Sequence, residues 1–128
     1  VLDLFAGTGA LGLEALSRGA KSADFVEFRP ACLHALKANV AALRMRDCTR
    51  IFKKDALPFA TMLTTAGAYD IAFCDPPYES RMLDRVIEGW QITHFARVLA
   101  VEHAATHKLP KGALRRDFDD TAITIYRA

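Results

Sequence analysis

What the chain lacks narrows it first. No run of apolar residues approaches the roughly 20 needed to cross a bilayer as a helix, and none of the 128 residues reads as a secretory signal, so no membrane partner is expected. The three cysteines, Cys32, Cys48 and Cys74, are odd in number and show no paired spacing, which argues against a disulfide framework and against a zinc site. A cytoplasmic location is the expectation that follows. His94 and His107 stand at no metal-ligand spacing, and His34 lies where a helix is predicted, as a surface or core residue. A net charge of +2 does not demand a polyanionic partner and does not oppose one. Repeats, linkers and low-complexity tracts are absent as well.

What is present is material for a core. With 128 residues, 52% of them apolar and 25% charged, the chain is expected to form one domain spanning 1–128. It opens inside a strand, Val1-Leu2-Asp3-Leu4-Phe5, with no methionine, so residues are expected to be missing upstream. That strand runs into Ala6-Gly7-Thr8-Gly9-Ala10-Leu11-Gly12, and Leu11, Leu13, Ala15 and Leu16 begin a helix that stops at Gly19. Strand, glycine turn and helix make the nucleotide-binding opening of an α/β fold. Gly7 and Gly9 permit a tight turn with a ligand close to the backbone, and Gly12 lets the helix pack near the strand. Ala23 to Glu27 reads as the second strand, and its closing carboxylate, 20 residues after Gly7, can accept both hydroxyls of a ribose.

Further along, Pro30 suits the first turn of a helix carrying Leu33, Leu36, Val40 and Leu43 inward at helical spacing. A third strand is predicted over Thr49 to Lys53, with Asp55-Ala56 past its carboxyl end, then a helix over Phe59 to Leu63. Tyr69 to Cys74 is the fourth strand, Met82 to Trp90 another helix and Arg97 to Glu102 the fifth strand. Ala113 to Phe118 and Thr121 to Tyr126, split by Asp119-Asp120, read as a hairpin. This alternation predicts a parallel sheet covered on both faces, whose ligands sit at the carboxyl ends of the strands. Asp3, Gly7, Glu27, Asp55 and Asp75 fall near those ends and should face one crevice.

Directly after the fourth strand stands Asp75-Pro76-Pro77-Tyr78. Two successive prolines lack an N–H and disfavour the α region before them, so the strand cannot run on into a helix. The Asp75 carboxylate and the Pro76 carbonyl stay free as acceptors, with the Tyr78 ring beside them, an arrangement suited to a planar amine such as a nucleobase. The same tetrapeptide is also an ordinary way to end a strand, and Gly-x-Gly-x-x-Gly alone equally fits a dinucleotide oxidoreductase. A nicotinamide enzyme, however, has no need of Asp-Pro-Pro-Tyr at this strand end. Among the remaining polar groups, Glu102-His103 closes the fifth strand near the crevice, where it can line the pocket, and Cys74 is most simply a small buried residue. Arg44, Arg46, Arg50, Lys53 and Lys54 form a basic cluster that can touch phosphate, although interleaved Asp47 and Asp55 make a solvated face the simpler account. Arg115 and Arg116 on the hairpin are equally open between the two.

At this separation the two motifs resemble the class I S-adenosylmethionine-dependent methyltransferases that modify exocyclic amines. One branch is especially similar, the bacterial small-subunit ribosomal RNA guanine-N2 methyltransferases of the RsmD type. The likeness runs the whole length: Val1 to Ala20 (VLDLFAGTGALGLEALSRGA), Asp75 to Tyr78, and Thr121 to Tyr126 (TAITIY). It implies a Rossmann-like fold with a mostly parallel seven-stranded sheet, helices on both faces and a C-terminal antiparallel hairpin. It implies S-adenosyl-L-methionine as cofactor, and small-subunit ribosomal RNA or the assembling small subunit as partner of a monomer. It also implies an N-terminal extension that helps hold RNA, expected to be missing from this chain.

Carried over position by position, the resemblance gives Asp3 and the turn Phe5, Ala6, Gly7, Thr8 and Gly9 to the methionine part of the cofactor. Glu27 would take the ribose hydroxyls, Asp55 the adenine amino group and Ala56 its ring face. Asp75 and the Pro76 carbonyl would accept hydrogen bonds from the target amine, and Tyr78 would stack on the flipped base. Adenine-N6 nucleic-acid methyltransferases share the tetrapeptide but need a target-recognition insertion for which these residues leave no room, and glutamine-N5 methyltransferases carry Asn where Asp75 stands. A catalytically inert cofactor- or RNA-binding fragment is the reading from another class.

Overall fold

Short strands of branched and aromatic residues alternate with helices whose apolar positions recur every three or four residues, and only a sheet sandwiched by helices buries both patterns. In the computed structural model, which describes residues 1–76 and 81–128, that sandwich is present. Its elements in chain order are β1 (Leu2–Leu4), α1 (Ala10–Ser17), β2 (Ala23–Val26), α2 (Pro30–Ala42), β3 (Thr49–Phe52), α3 (Ala56–Thr61), β4 (Tyr69–Cys74), α4 (Arg81–Thr93), β5 (Ala96–Ala104), β6 (Leu114–Phe118) and β7 (Thr121–Arg127). They form one seven-stranded sheet in the order β3-β2-β1-β4-β5-β7-β6. The first five strands are parallel, and β7 lies antiparallel to both β5 and β6. No helix among the described residues is long and apolar enough to cross a membrane.

The pleat sorts the core into two layers. Leu2 and Leu4 of β1 point to the layer holding α3 and α4, with Ala72, Cys74, Leu99, Val101 and Trp90. Phe25 of β2 points the other way, into the layer of Leu13, Leu16, Leu36 and Val40 from α1 and α2. On this second side the hairpin is less covered: Leu114, Phe118 and Ile123 are exposed. Two hydrogen bonds pin the last third of the chain. Trp90 Nε1 donates to the Ala96 carbonyl at 2.7 Å, and the Tyr126 hydroxyl donates to the Pro110 carbonyl at 2.6 Å.

Of the boundaries that differ from the sequence expectation, two have a clear physical cause. The third helix begins at Ala56, not Phe59, because Asp55 caps it: its carboxylate accepts the Leu57 N–H at 3.3 Å. Pro58 then falls in the first turn, where a missing N–H costs nothing. The fifth strand runs on to Ala104, since β7 supplies partners as far as Ala104↔Thr121 and the buried His103 ring is held by the Thr124 hydroxyl at 2.8 Å. Glu102 therefore lies inside a strand and not at its end.

The sheet order reverses between β1 and β4, since β1 is followed by β2 on one side and β4 lies on the other. Loops leaving these two strands diverge there and open a crevice. How closely α1 approaches depends on Gly12, whose N–H donates to Asp3 Oδ2 at 3.0 Å. A Cβ on residue 12 would meet the Phe25 ring, with Cζ only 2.8 Å away, and that ring is fully buried and cannot retreat. Gly12→Ala should therefore lower stability by about 1–3 kcal/mol, as overpacking does. Urea unfolding would measure this, and an unchanged midpoint would show that α1 can lift from the sheet at no cost.

Candidate functional site

At the end of β1 the backbone turns through left-handed residues: Phe5 at φ 55°, Gly7 at 58° and Gly9 at 88°. Glycine takes such angles freely, but for Phe5 they carry strain, of the kind that functional sites retain. The turn is tied to the neighbouring strand by Ala6 N–H to the Val26 carbonyl at 3.0 Å, and closed by Gly9 N–H to the Ala6 carbonyl at 2.9 Å.

Two adjoining hollows flank this turn. One, of about 390 Å³, is lined by Asp3, Ala6, Gly7, Thr8, Asp75 and Pro76 among others. The second, of about 290 Å³, lies over the ends of β2 and β3 and is lined by Glu27, Phe28, Lys54, Asp55, Ala56 and Met82. Phe5 and Arg29 belong to both. Each expected cofactor residue except Gly9 thus borders one of these two hollows; a Cβ at Gly9 would point at Leu36, Leu13 and Phe25 in the core. Pro77 and Tyr78 lie outside the described residues.

The carboxylates in this space differ in environment. Burial would push Glu27 up, yet the Arg29 side chain, the Arg29 N–H and the Gly7 N–H together hold it below its ordinary range. Glu27 accepts from Gly7 N at 2.8 Å, Phe28 N and Arg29 N at 2.9 Å, and Arg29 Nε and Nη2 at 3.2 and 3.1 Å. Sequence reasoning expected a carboxylate open to two hydroxyls. The structure instead loads five donors onto a group with about four acceptor positions, so ribose hydroxyls compete with the guanidinium. Arg29, 43% exposed, is the donor able to move. Its signal in the sequence was only its place two residues after Glu27.

Asp3 is the opposite case. Its side chain is 1% exposed, and burial, opposed by the Gly12 N–H and reinforced by the charges of Asp75 and Glu27, pushes it up to about 7. Asp75 is likewise pushed up to about 7, by burial and by a hydrogen bond and like charge from Glu102. Beneath them the buried Cys74 thiol is pushed far above its usual range by burial and by both carboxylates, and is inert. The site holds more negative charge than its own cations balance, which is chemistry that fits a cationic ligand.

Outside this space the basic cluster dissolves as a unit. Arg50 makes a forked pair with the buried Asp24, at 2.8 and 2.6 Å, and Tyr69 donates to the same carboxylate at 2.7 Å. Only Lys54 of the cluster lines a hollow of the site. His34 is exposed on α2, as a surface residue.

The family described as "Conserved hypothetical protein 95" matches residues 1–121. This chain belongs to that family. Among its relatives, "Ribosomal RNA small subunit methyltransferase D" of Escherichia coli strain K12 is 38% identical over 94 residues, covering 70% of this chain and 46% of the relative. "Putative rRNA methyltransferase YlbH" of Bacillus subtilis is 32% identical over 137 residues, covering 98% and 74%. A solved structure described as "Putative methyltransferase yhhF from Escherichia coli" superposes with a TM-score of 0.83 at 30% identity, covering 98% of this chain and 73% of that one. The chain thus spans about half the length of the Escherichia coli relative whose sequence it matches. For this family member the expected fold class stands as described above: a Rossmann-like, mostly parallel sheet of seven strands with helices on both faces and an antiparallel hairpin at the end.

The buried Asp3 has a consequence for stability. A carboxyl raised in the folded state adds stability below its unfolded value, and that contribution is lost as pH rises through the folded one. For Asp3 the window runs from 3.8 to about 7. Asp3→Asn should remove part of the decline across it, by up to about 1.4 kcal/mol per pH unit. Thermal or urea unfolding at several pH values would register this, and parallel profiles for both proteins would contradict it.

Proposed function

We propose that this chain is the S-adenosyl-L-methionine-binding and catalytic part of an enzyme that transfers a methyl group to the exocyclic N2 amine of a guanine in small-subunit ribosomal RNA. The observation that carries the reading is the crevice at the β1/β4 reversal, where the left-handed glycine turn with its buried Asp3 meets Asp75-Pro76. The names of the relatives support the RNA substrate. In this reading the chain works as a cytoplasmic monomer on the RNA or the assembling subunit, with no membrane involved.

The residues fit the cofactor. Asp3 and the turn Phe5 to Thr8 hold its methionine part, the surplus of negative charge favouring a cationic group; Gly9 shapes the turn. Glu27 takes the ribose hydroxyls as Arg29 yields, while Asp55 and Ala56 border the hollow for the adenine. The bound cofactor supplies an electrophilic methyl group on a sulfonium centre. An amine conjugated with a purine ring is a weak nucleophile because its lone pair is delocalised. Asp75 and the Pro76 carbonyl accept its two N–H groups, which favours a pyramidal nitrogen with its lone pair turned toward the methyl donor. Tyr78 stacks on the extruded base, a contact worth about 1–3 kcal/mol that offsets part of the unstacking cost. Positioning of this kind accounts for most of the rate, with no covalent enzyme intermediate needed.

Asp75→Ala should lower transfer of labelled methyl from S-adenosylmethionine to small-subunit ribosomal RNA by about 10²-fold or more, while affinity for S-adenosylhomocysteine holds. Equal losses in both would move Asp75 from the amine to the cofactor, and full retained transfer would refute its role.

A further inference from the structure

Glu102 has no counterpart in the tetrapeptide, yet the sheet brings it to the reacting end. β4 and β5 are paired in parallel up to Cys74↔Val101, so Asp75 and Glu102 are the next residues along the two neighbouring strands. The pleat turns them to one face: Cys74 and Val101 are buried on the α3/α4 side, and the following residues project the opposite way. Two carboxyls are thus set side by side, and burial together with Glu102 pushes Asp75 up to about 7.

Among the described residues, the charged groups around this pair are mostly acidic. On β1 the nearest ionisable neighbour is Asp3, and on β2 Glu27, whose charge is already covered by Arg29. On the other flank Glu102 is in register with the apolar Ile123 of β7, and only beyond it, on β6, does Arg116 follow. Arg29 lines the same hollow as Asp75 but forks onto Glu27.

We propose that Glu102 is a positioning residue that makes Asp75 a better proton acceptor, the two carboxyls taking up together the proton that the target amine gives up on methylation. This rests on the methyl-transfer reading above. With both carboxylates ionised, their repulsion raises the basicity of Asp75. The amine nitrogen uses its lone pair to form the new N–C bond, the electron pair of the broken C–S bond stays on sulfur, and the displaced N–H proton passes to Asp75. There it is held beside the Glu102 carboxyl, the next residue along the neighbouring strand, until solvent removes it. A pair of carboxylates tuned by mutual repulsion is a general route to a base active near neutral pH.

The test combines two readouts on Glu102→Gln, which keeps the shape and a hydrogen-bond donor but removes the charge. Carbon-13 carboxyl NMR of the unsubstituted protein should show Asp75 titrating in the neutral range, and in Glu102→Gln that titration should fall by roughly one pH unit or more. The acid limb of the methyl-transfer rate against pH should move down with it, and the plateau rate should drop while affinity for S-adenosylhomocysteine is kept. An NMR titration that moves while the acid limb stays in place would overturn the role of Glu102 and leave the proposed function standing. No transfer by the unsubstituted protein at any pH would overturn the proposed function and this role with it. Should Glu102→Gln fail to fold, the unsubstituted protein decides: two-step titration of both carboxyl signals supports the shared proton, and independent single steps refute it.

Discussion

Parallel pairing of β1 with both β2 and β4 is the constraint on which the rest depends. Register sets Asp3 beside Phe25 on one flank and Phe73 on the other, so the chain exits three adjacent strands at one level. Glu27 and Asp75 follow directly after those flanking strands, and the turn at Phe5 to Gly9 lies between them. A shift of one residue in either pairing would reverse the pleat and turn one of these carboxyls to the opposite layer. Gly12 holds the arrangement from above, since only a residue without a side chain lets α1 come near enough for its N–H to reach Asp3.

Convergence of acids is costly in an empty site and useful in a filled one. Asp3 is shifted toward neutrality by burial and by the charges of Asp75 and Glu27, and Asp75 by burial and by Glu102. A cationic ligand relieves this repulsion, so binding energy is stored in the arrangement of the protein before the ligand arrives. Glu27 shows a second solution to the same problem. Its charge is satisfied within the protein by three backbone N–H groups and Arg29.

Much of this was legible in the sequence because it is local. The glycine turn, the helical spacing of Leu33, Leu36 and Val40, and the hairpin divided at Asp119-Asp120 each depend on neighbours along the chain and stand where expected, whereas Leu43, expected inward, is exposed just past the end of α2. The third helix starts earlier than the sequence predicts, at Ala56, because Asp55 caps it and leaves Pro58 in the first turn, where its missing N–H is harmless. The fifth strand runs past Glu102 because its continuation depends on β7, which pairs as far as Ala104 and offers the Thr124 hydroxyl to His103. The same non-local reason split the basic cluster, since Arg50 is committed to Asp24 across a register that no spacing within one segment reveals. Side chains that meet through the sheet are what pattern reading misses, and the carboxyl pair at the reacting end is one of them.

The central claim is that the crevice at the β1/β4 reversal is built for S-adenosylmethionine and not for a nicotinamide dinucleotide, which the glycine turn alone would equally admit. Calorimetric titration of this chain with S-adenosylhomocysteine, beside an identical titration with NAD, tests it most directly. Micromolar binding of S-adenosylhomocysteine with no heat from NAD is the expected result. Binding of NAD alone, or of neither, would contradict it.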